Sequence, residues 1–520
     1  MISRFFLILT MSVAPLSFAQ DDLYHFNWAH LDQEVASTVT YSDAVNEIYA
    51  QRKFQLIWHE PKTSQSLEAL LTIITYAEIS DFFSARLLVL RKLRDDGLWY
   101  EYDVVATDTL LNFVNYTNLV RENGFDWYYG GRVELPQIPL NSYVVNDFIR
   151  TVEKSALVEY VTALNGTPEQ MDVVIDAIAL LTEAMESGLP KYAQAGIIRP
   201  GDGIYNKKQL FDRLKVVGID VDAVQLDSME YDKPLIKAVK QFQKMHGLKV
   251  DGIIGKETLF WVNMPLEQRL RMIALNTERS RLMPKDLNNT VIVNLPSFHL
   301  YYWYQGKPEF SSKVIVGKKK RKTPLLRVKM DTLIMNPSWN VPNKLVREDI
   351  IPLIKKDEGY LERMNMKIVK NWSTKEIVDP STIDWQTLDP DTFSYNMTQA
   401  PGKRNALGAF KFNTPNARAI YLHDTPSKYL FNKTSRAYSS GCIRVQYADK
   451  FAQTLMKVQG IEPPKQSTTE DLTMHRVALK RHIPVHILYQ TAWIKNGLVQ
   501  YRKDIYGYDY RASDLNLTKN

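Results

Sequence analysis

The sequence predicts an α+β multidomain protein in which a helical scaffold and a small helical module precede a mainly β domain carrying an inserted segment. Three observations predict this. Apolar residues recur every three or four positions from Tyr41 to about Leu189; a glycine-punctuated set of short helices follows; and from Val291 the texture changes to β-branched and aromatic runs separated by turn residues. A chain of 520 residues exceeds what one hydrophobic core usually organises, so about three domains are expected.

The chain opens MISRFFLILTMSVAPLSFAQ, with Arg4 ahead of an apolar run from Phe5 to Val13 and small residues at Ser17 and Ala19. This pattern predicts a secretory signal over residues 1–19, cleaved after Ala19. The run is shorter than the roughly 20 residues that cross a bilayer, and no second one follows, so no stable membrane span is expected. Cys442 is the single cysteine. An intramolecular disulfide is therefore excluded, and stability must come from core burial. Hydrophobic content of 45% with 24% charge is ordinary for a globular chain, and a net charge of +7 describes a mildly basic surface. That surface suits an acidic polymer but does not specify one.

Within a scaffold over residues 20–194, SLEALLTIITYAEI and MDVVIDAIALLTEAMESGL read as helices, the second stopped by Gly188 and Pro190. No catalytic constellation falls there. In the module over 195–263, Ile236, Val239 and Phe242 mark one face of a helix that Gly247 ends. Asp251-Gly252 and Gly255 predict positive-φ turns before a second helix from Lys256. A linker helix occupies 264–287. The β domain, 288–488, begins with VIVNL, HLYYWY, SKVIVG and VKMDTLIMN and resumes at GAFKF and AIYLH, and residues 489–520 form a C-terminal extension. The interruption at about 343–400 is equally a candidate lid or a structural excursion. The basic run from Lys318 to Lys322 reads as a solvated hairpin tip, because no nucleic-acid reader accompanies it. Nucleic acid is not an expected partner.

Chemistry concentrates in AIYLHDTPSKYLFNKTSRAYSSGCIRV, Ala419 to Val445. A thiol with a pKa of about 8.5 is mostly protonated near neutrality, so a nucleophilic cysteine needs a base or positive surroundings. His423, nineteen residues before Cys442, is the candidate base, and Arg436 and Arg444 the candidate positive field. Gly441 lets the backbone approach a substrate closely, so that the N–H groups of Gly441 and Cys442 become candidate oxyanion donors.

His423, Ser439, Ser440, Gly441, Cys442, Ile443 and Arg444 resemble the signature of the peptidoglycan L,D-transpeptidases, or YkuD-type domains: a histidine, then Ser/Thr-x-Gly-Cys, a hydrophobic residue and Asn or Arg. Ser440 stands where the commonest form of the signature has histidine, which leaves His423 as the nearby base. MNPSWNVP (Met335 to Pro342), PGKRNALGAFKFNTPN (Pro401 to Asn416) and YLHDTP (Tyr421 to Pro426) look like a larger, YcbB-like branch with an inserted capping segment. The run IKAVKQFQKMHGLKVDGIIGKETLFWVN is similar to a three-helix peptidoglycan-binding module.

The resemblance implies an exported, periplasmic enzyme acting on peptidoglycan stem peptides. Cys442 would attack the carbonyl of the third residue of a tetrapeptide donor, usually meso-diaminopimelate, and release D-alanine. His423 would serve as base and then acid. The thioester would pass to the diaminopimelate amine of an acceptor stem, giving a 3→3 cross-link. No metal or organic cofactor is implied. Tyr421 and Trp339 match pocket positions of the family, Arg444 would hold a substrate carboxylate or pair structurally, and Ser439 and Ser440 would line the substrate site. Other cell-wall synthesis enzymes are further candidate partners.

Other readings compete. His482 and His486 raise a zinc site, but Pro484 and the β-branched residues around it predict a strand, where positions four apart sit about 13 Å from each other. A non-catalytic wall-binding scaffold, D-amino-acid exchange and attachment of a protein to the wall are alternatives to cross-linking.

Overall fold

The computed structural model describes residues 33–53, 55–136, 139–166, 168–374, 376–464 and 472–509. The expected secretory signal lies outside them. The chain forms two compact units, the first from residues up to 72, 82–118 and 135–164 and the second from 73–81, 119–134 and 165 onward.

The first unit takes up α1 (Gln33–Thr38), α2 (Ser42–Gln51), α4 (Asp81–Asp95), α6 (Ser142–Glu153), α7 (Leu157–Ala163) and most of α3 (Pro61–Ala77) and α5 (Trp99–Tyr128). Their apolar faces close a core that includes Val45, Ile48, Leu67, Leu71, Leu87 and Phe113. Two of its buried carboxylates, Asp103 and Asp108, are structural. Asp103 accepts the Ile57 and Trp58 amides, and Asp108 accepts those of Thr40 and Tyr41 while pairing with Arg86. Each one satisfies loop N–H groups that no helix or sheet supplies with an acceptor.

In the second unit, α8 (Pro168–Glu186) precedes a module of α9 (Lys207–Lys215), α10 (Lys233–Met245) and α11 (Lys256–Val262). Leu235, Val239 and Phe242 form the buried stripe of α10, and Gly247 follows it at φ +65°. Gly252 has the expected positive φ, at +76°. Gly255 does not: at φ −99°, ψ −171° it is the extended N-cap of α11, a place where glycine is tolerated rather than required. α12 (Leu266–Arg279) is buried on nearly every side, with Arg279 paired to Asp509 at 2.5 Å and Asn276 bonded to Thr491 at 2.8 Å.

The strands of the unit are β1 (Asn289–Asn294), β2 (His299–Tyr304), β3 (Lys307–Gly317), β4 (Leu326–Met335), β5 (Trp339–Val341), β6 (Met366–Val369), β7 (Ile377–Val378), β8 (Asn396–Gln399), β9 (Phe410–Asn413), β10 (Leu422–His423), β11 (Ala437–Ser439), β12 (Ile443–Val445), β13 (His475–Leu488), β14 (Ala492–Lys495) and β15 (Leu498–Tyr501). Nine of them hydrogen-bond in the order β11-β3-β12-β10-β9-β4-β13-β1-β2, and β2 also pairs with β3. That last pairing closes eight strands into a barrel with β11 attached outside the ring, which leaves the ring no free edge. Inward residues such as Val293, Leu333, Phe412, Leu422 and Ile443 pack on Phe451 and Leu455 of the helix Ala448–Val458.

The inserted segment folds on itself. Strands β5-β8-β6-β7 form a separate sheet whose side chains, with Val346, Ile351, Ile354 and Leu361 from three short helices, build a second core around Met397. After β13 the chain makes the β14–β15 hairpin and returns Tyr506 to the barrel core. No helix among the described residues is long and apolar enough to cross a membrane.

Candidate active site

Two short parallel strands position the reactive residues. In the β10–β12 register Leu422 lies opposite Ile443 and His423 opposite Arg444, with the Ile443 amide bonded to the Tyr421 carbonyl at 3.1 Å. Leu422 and Ile443 are fully buried in the barrel core. Side chains alternate between faces of a strand, so Tyr421, His423, Cys442 and Arg444 share the opposite face. The same alternation in β9 buries Phe412 and places Lys411, opposite His423, on that face too.

The turn before β12 is rigid for identifiable reasons. Gly441 takes φ +126°, a conformation that a side chain would strain. Its carbonyl accepts the Thr323 hydroxyl at 2.7 Å, and its amide donates to Ser439 Oγ at 3.2 Å. Ser439 Oγ in turn donates to the Cys442 carbonyl at 2.6 Å. The Cys442 amide makes no hydrogen bond among the described residues, which leaves it as the open N–H donor beside Sγ.

The Cys442 thiol donates to the Ala419 carbonyl at 3.8 Å. Burial pushes its pKa up, against the Tyr421 backbone, Lys411, the Tyr421 hydroxyl and Arg444, all of which favour the thiolate. His423 is buried and pulled down to about 3, first by burial and then by the Arg444 charge. Its Nδ1 has no hydrogen-bond partner. No hydrogen bond joins the two among the described residues, and burial disfavours the charged form of each. Burial also raises the Tyr421 pKa, reinforced by the Cys442 charge and opposed by the Trp339 indole, which places Trp339 at the edge of the same site.

A family described as "L,D-transpeptidase catalytic domain" matches residues 288–469. A "Putative peptidoglycan binding domain" matches 207–260, and a "Scaffold domain" matches 43–165. A protein of Haemophilus influenzae named "Putative L,D-transpeptidase" is 30% identical over 463 residues, which is 89% of this chain and 77% of that protein. The chain belongs to the L,D-transpeptidase family. An L,D-transpeptidase structure from Xylanimonas cellulosilytica is also similar, at 12% identity over 57% of this chain and 99% of that one; its TM-score is 0.17, and it carries no part of the argument.

In this L,D-transpeptidase several expected site residues have other work. Ser439, expected to line the substrate site, is buried and uses its hydroxyl in the turn, donating to the Cys442 carbonyl and accepting the Gly441 amide. The Gly441 amide, expected as an oxyanion donor, is engaged with Ser439 Oγ, whereas the Cys442 amide is unengaged among the described residues. Arg436 is buried and turns its guanidinium to the Val314, Lys433 and Phe298 carbonyls. Ser440 is exposed and accepts from Arg321 Nη1 at 2.8 Å. Trp339 and Arg444 remain at the site, the latter with its Nε unpartnered.

The expected solvated tip is only partly so. Lys318, Lys319 and Lys320 are exposed, but Arg321 pairs with Glu348 at 2.5 Å and with Asp349, both in the insertion. Lys322 Nζ donates to the Tyr506 carbonyl at 2.8 Å and lies over the Tyr508 ring. Sequence reasoning missed Lys411, Thr323 and Arg321. Only Lys411 had a local signal: alternation in FKF turns it away from the core. His482 and His486 line an open groove on β4 and β13, and no cluster of three or more metal-ligating side chains exists among the described residues.

Proposed function

We propose that the enzyme forms 3→3 peptidoglycan cross-links through a Cys442 thioester, with release of D-alanine from a tetrapeptide donor. The observation that carries the reading is the shared face of Cys442, Tyr421, His423 and Arg444, with an unengaged Cys442 amide beside the thiol.

The chemistry starts from the neutral thiol and imidazole that burial favours. As Sγ attacks the donor carbonyl, its proton passes to His423, whose low basicity in the closed site is raised by the negative charge forming beside it. The Cys442 N–H stabilises the oxyanion, and the Tyr421 hydroxyl, Lys411 and Arg444 favour the anionic sulfur. His423 then returns the proton to the leaving D-alanine amine. An acceptor amine attacks the thioester, gives its proton to the same ring and restores the thiol. We assign the work to a domain over 288–488, with a capping insertion at about 343–400, a binding module over 195–263 and a scaffold before it, in a periplasmic protein exported by residues 1–19.

Incubating the purified enzyme with disaccharide-tetrapeptide tests the reading. Mass spectrometry is expected to show a cross-linked dimer one D-alanine lighter than two monomers less no further water. Only D-alanine exchange, or dimer formed equally by Cys442→Ala, overturns it.

A further inference from the structure

One register row crosses the barrel face that bears the thiol. Ile334 of β4 faces Lys411 of β9, Lys411 faces His423 of β10, and His423 faces Arg444 of β12. Lys411 and Arg444 thus flank the candidate base from either side, their backbones about 10 Å apart at two strand spacings. Lys411 Nζ lies 4.2 Å from the centre of the Tyr421 ring, which directs the ammonium toward the thiol rather than outward.

Neither cation has a carboxylate partner among the described residues. The acid that acts on Lys411 is Asp331, which accepts the Asn413 amide at 3.0 Å and makes no ion pair with the lysine. Asp424, next to His423, is committed to Lys428 and to the Ala409 amide. Arg444 Nε is buried and bonds nothing. Two half-buried cations without an anion are costly, whereas an anion placed between them repays the desolvation. Burial lowers the pKa of both, as expected of cations that lack a counter-charge.

We propose that Lys411 and Arg444 form a carboxylate clamp over Cys442, with Lys411 the specificity residue that favours acyl donors bearing a free carboxylate near the reacting carbon. The clamp deepens the cross-linking reading, in which a stem peptide offers two such groups: the terminal carboxylate of the leaving residue and the side-chain carboxylate of the third residue.

Alkylation of the sole cysteine tests the clamp without relying on transpeptidation. Iodoacetate and iodoacetamide form the same S–C bond and expel the same iodide, and differ in one carboxylate. The rate ratio of iodoacetate to iodoacetamide at Cys442 is expected to exceed that of glutathione by about 10-fold. Lys411→Met should lower the ratio several-fold, and Lys411→Arg should keep most of it. A ratio equal to that of glutathione, or one unmoved by Lys411→Met in a variant with wild-type circular dichroism, overturns the proposal. Stem peptides amidated at the terminus or at the third side chain then identify the carboxylate, by whichever raises KM in the wild type and not in Lys411→Met. Equal KM for both amides and the free acid overturns the clamp alone. No transfer from any stem, with the alkylation preference intact, overturns the cross-linking reading and leaves the clamp.

Discussion

The Thr323 hydroxyl donates to the Gly441 carbonyl at 2.7 Å and accepts the Gly317 amide at 2.9 Å, so one side chain ties the turn of Cys442 to the end of β3. Tyr506 holds the other side, accepting the Thr323 amide and donating to the Gly317 carbonyl. Thr323→Val keeps the shape and removes both bonds. It should cost about 1–3 kcal/mol of stability, since buried polar groups are left unpaired, and slow acylation of Cys442 about 10-fold. Wild-type acylation in this variant would show that the turn holds its geometry without Thr323.

A carbapenem presents a strained carbonyl to the thiol, and the sole cysteine makes the outcome readable. Intact-protein mass spectrometry should show one added drug on the wild type, peptide mapping should place it on Cys442, and Cys442→Ala should show none. An adduct on a serine would remove Cys442 from the mechanism.

Acid should destabilise the fold. The His423 ring is pulled from an ordinary 6.5 down to about 3, so the unfolded chain binds a proton that the folded one refuses. Stability from this group is therefore complete above pH 6.5 and falls as pH drops toward 3, by about 2 kcal/mol at pH 5. His246, buried against Arg269, is shifted in the same direction. Urea midpoints should drop between pH 7.5 and 5, with a shallower slope in His423→Asn; identical slopes would contradict the burial argument.

Arg321 joins Ser440 of the cysteine turn to Glu348 and Asp349 of the insertion. Arg321→Ala removes the link. Amide hydrogens of residues 343–356 should then exchange about 10-fold faster, because local opening loses a charge-assisted network. Unchanged exchange would mean that the insertion is held by its own core.

Wall binding calls for a point variant rather than a deletion, because the module packs on the barrel unit: His246 stacks on Tyr501, and Arg502 donates to the Met245 carbonyl at 2.9 Å. Tyr205 is 86% exposed within the unit, which makes it a contact that can be removed without opening a core. Tyr205→Ala should reduce co-sedimentation with insoluble peptidoglycan several-fold and spare turnover of a soluble stem. Undiminished sedimentation would place binding on another surface.

Much of this architecture was legible locally. Strand alternation in HLYYWY and AIYLH, the helical stripe of Leu235, Val239 and Phe242, and the Gly441-Cys442 pair are short-range patterns, and short-range patterns survive in a linear string. His423 and Cys442 share a face because two brief strands pair in parallel register, a pairing that alternation within each strand does not specify.

By itself the sequence determined that helical segments precede a mainly β domain, that one thiol is available, and that its neighbours resemble an L,D-transpeptidase signature; the separate sheet of the insertion was not legible in it. Tertiary structure alone decided what each polar side chain does. Ser439 and Arg436 read as site residues and bond backbone groups, while Thr323 and Arg321 reach the cysteine turn from 118 and 119 positions away and Lys411 joins His423 from the neighbouring strand. The physical reason is that a hydrogen bond or an electrostatic shift depends on distances of a few ångströms, and strand pairing in the barrel sets those distances between residues that the chain separates, 118 positions for Thr323 and Gly441.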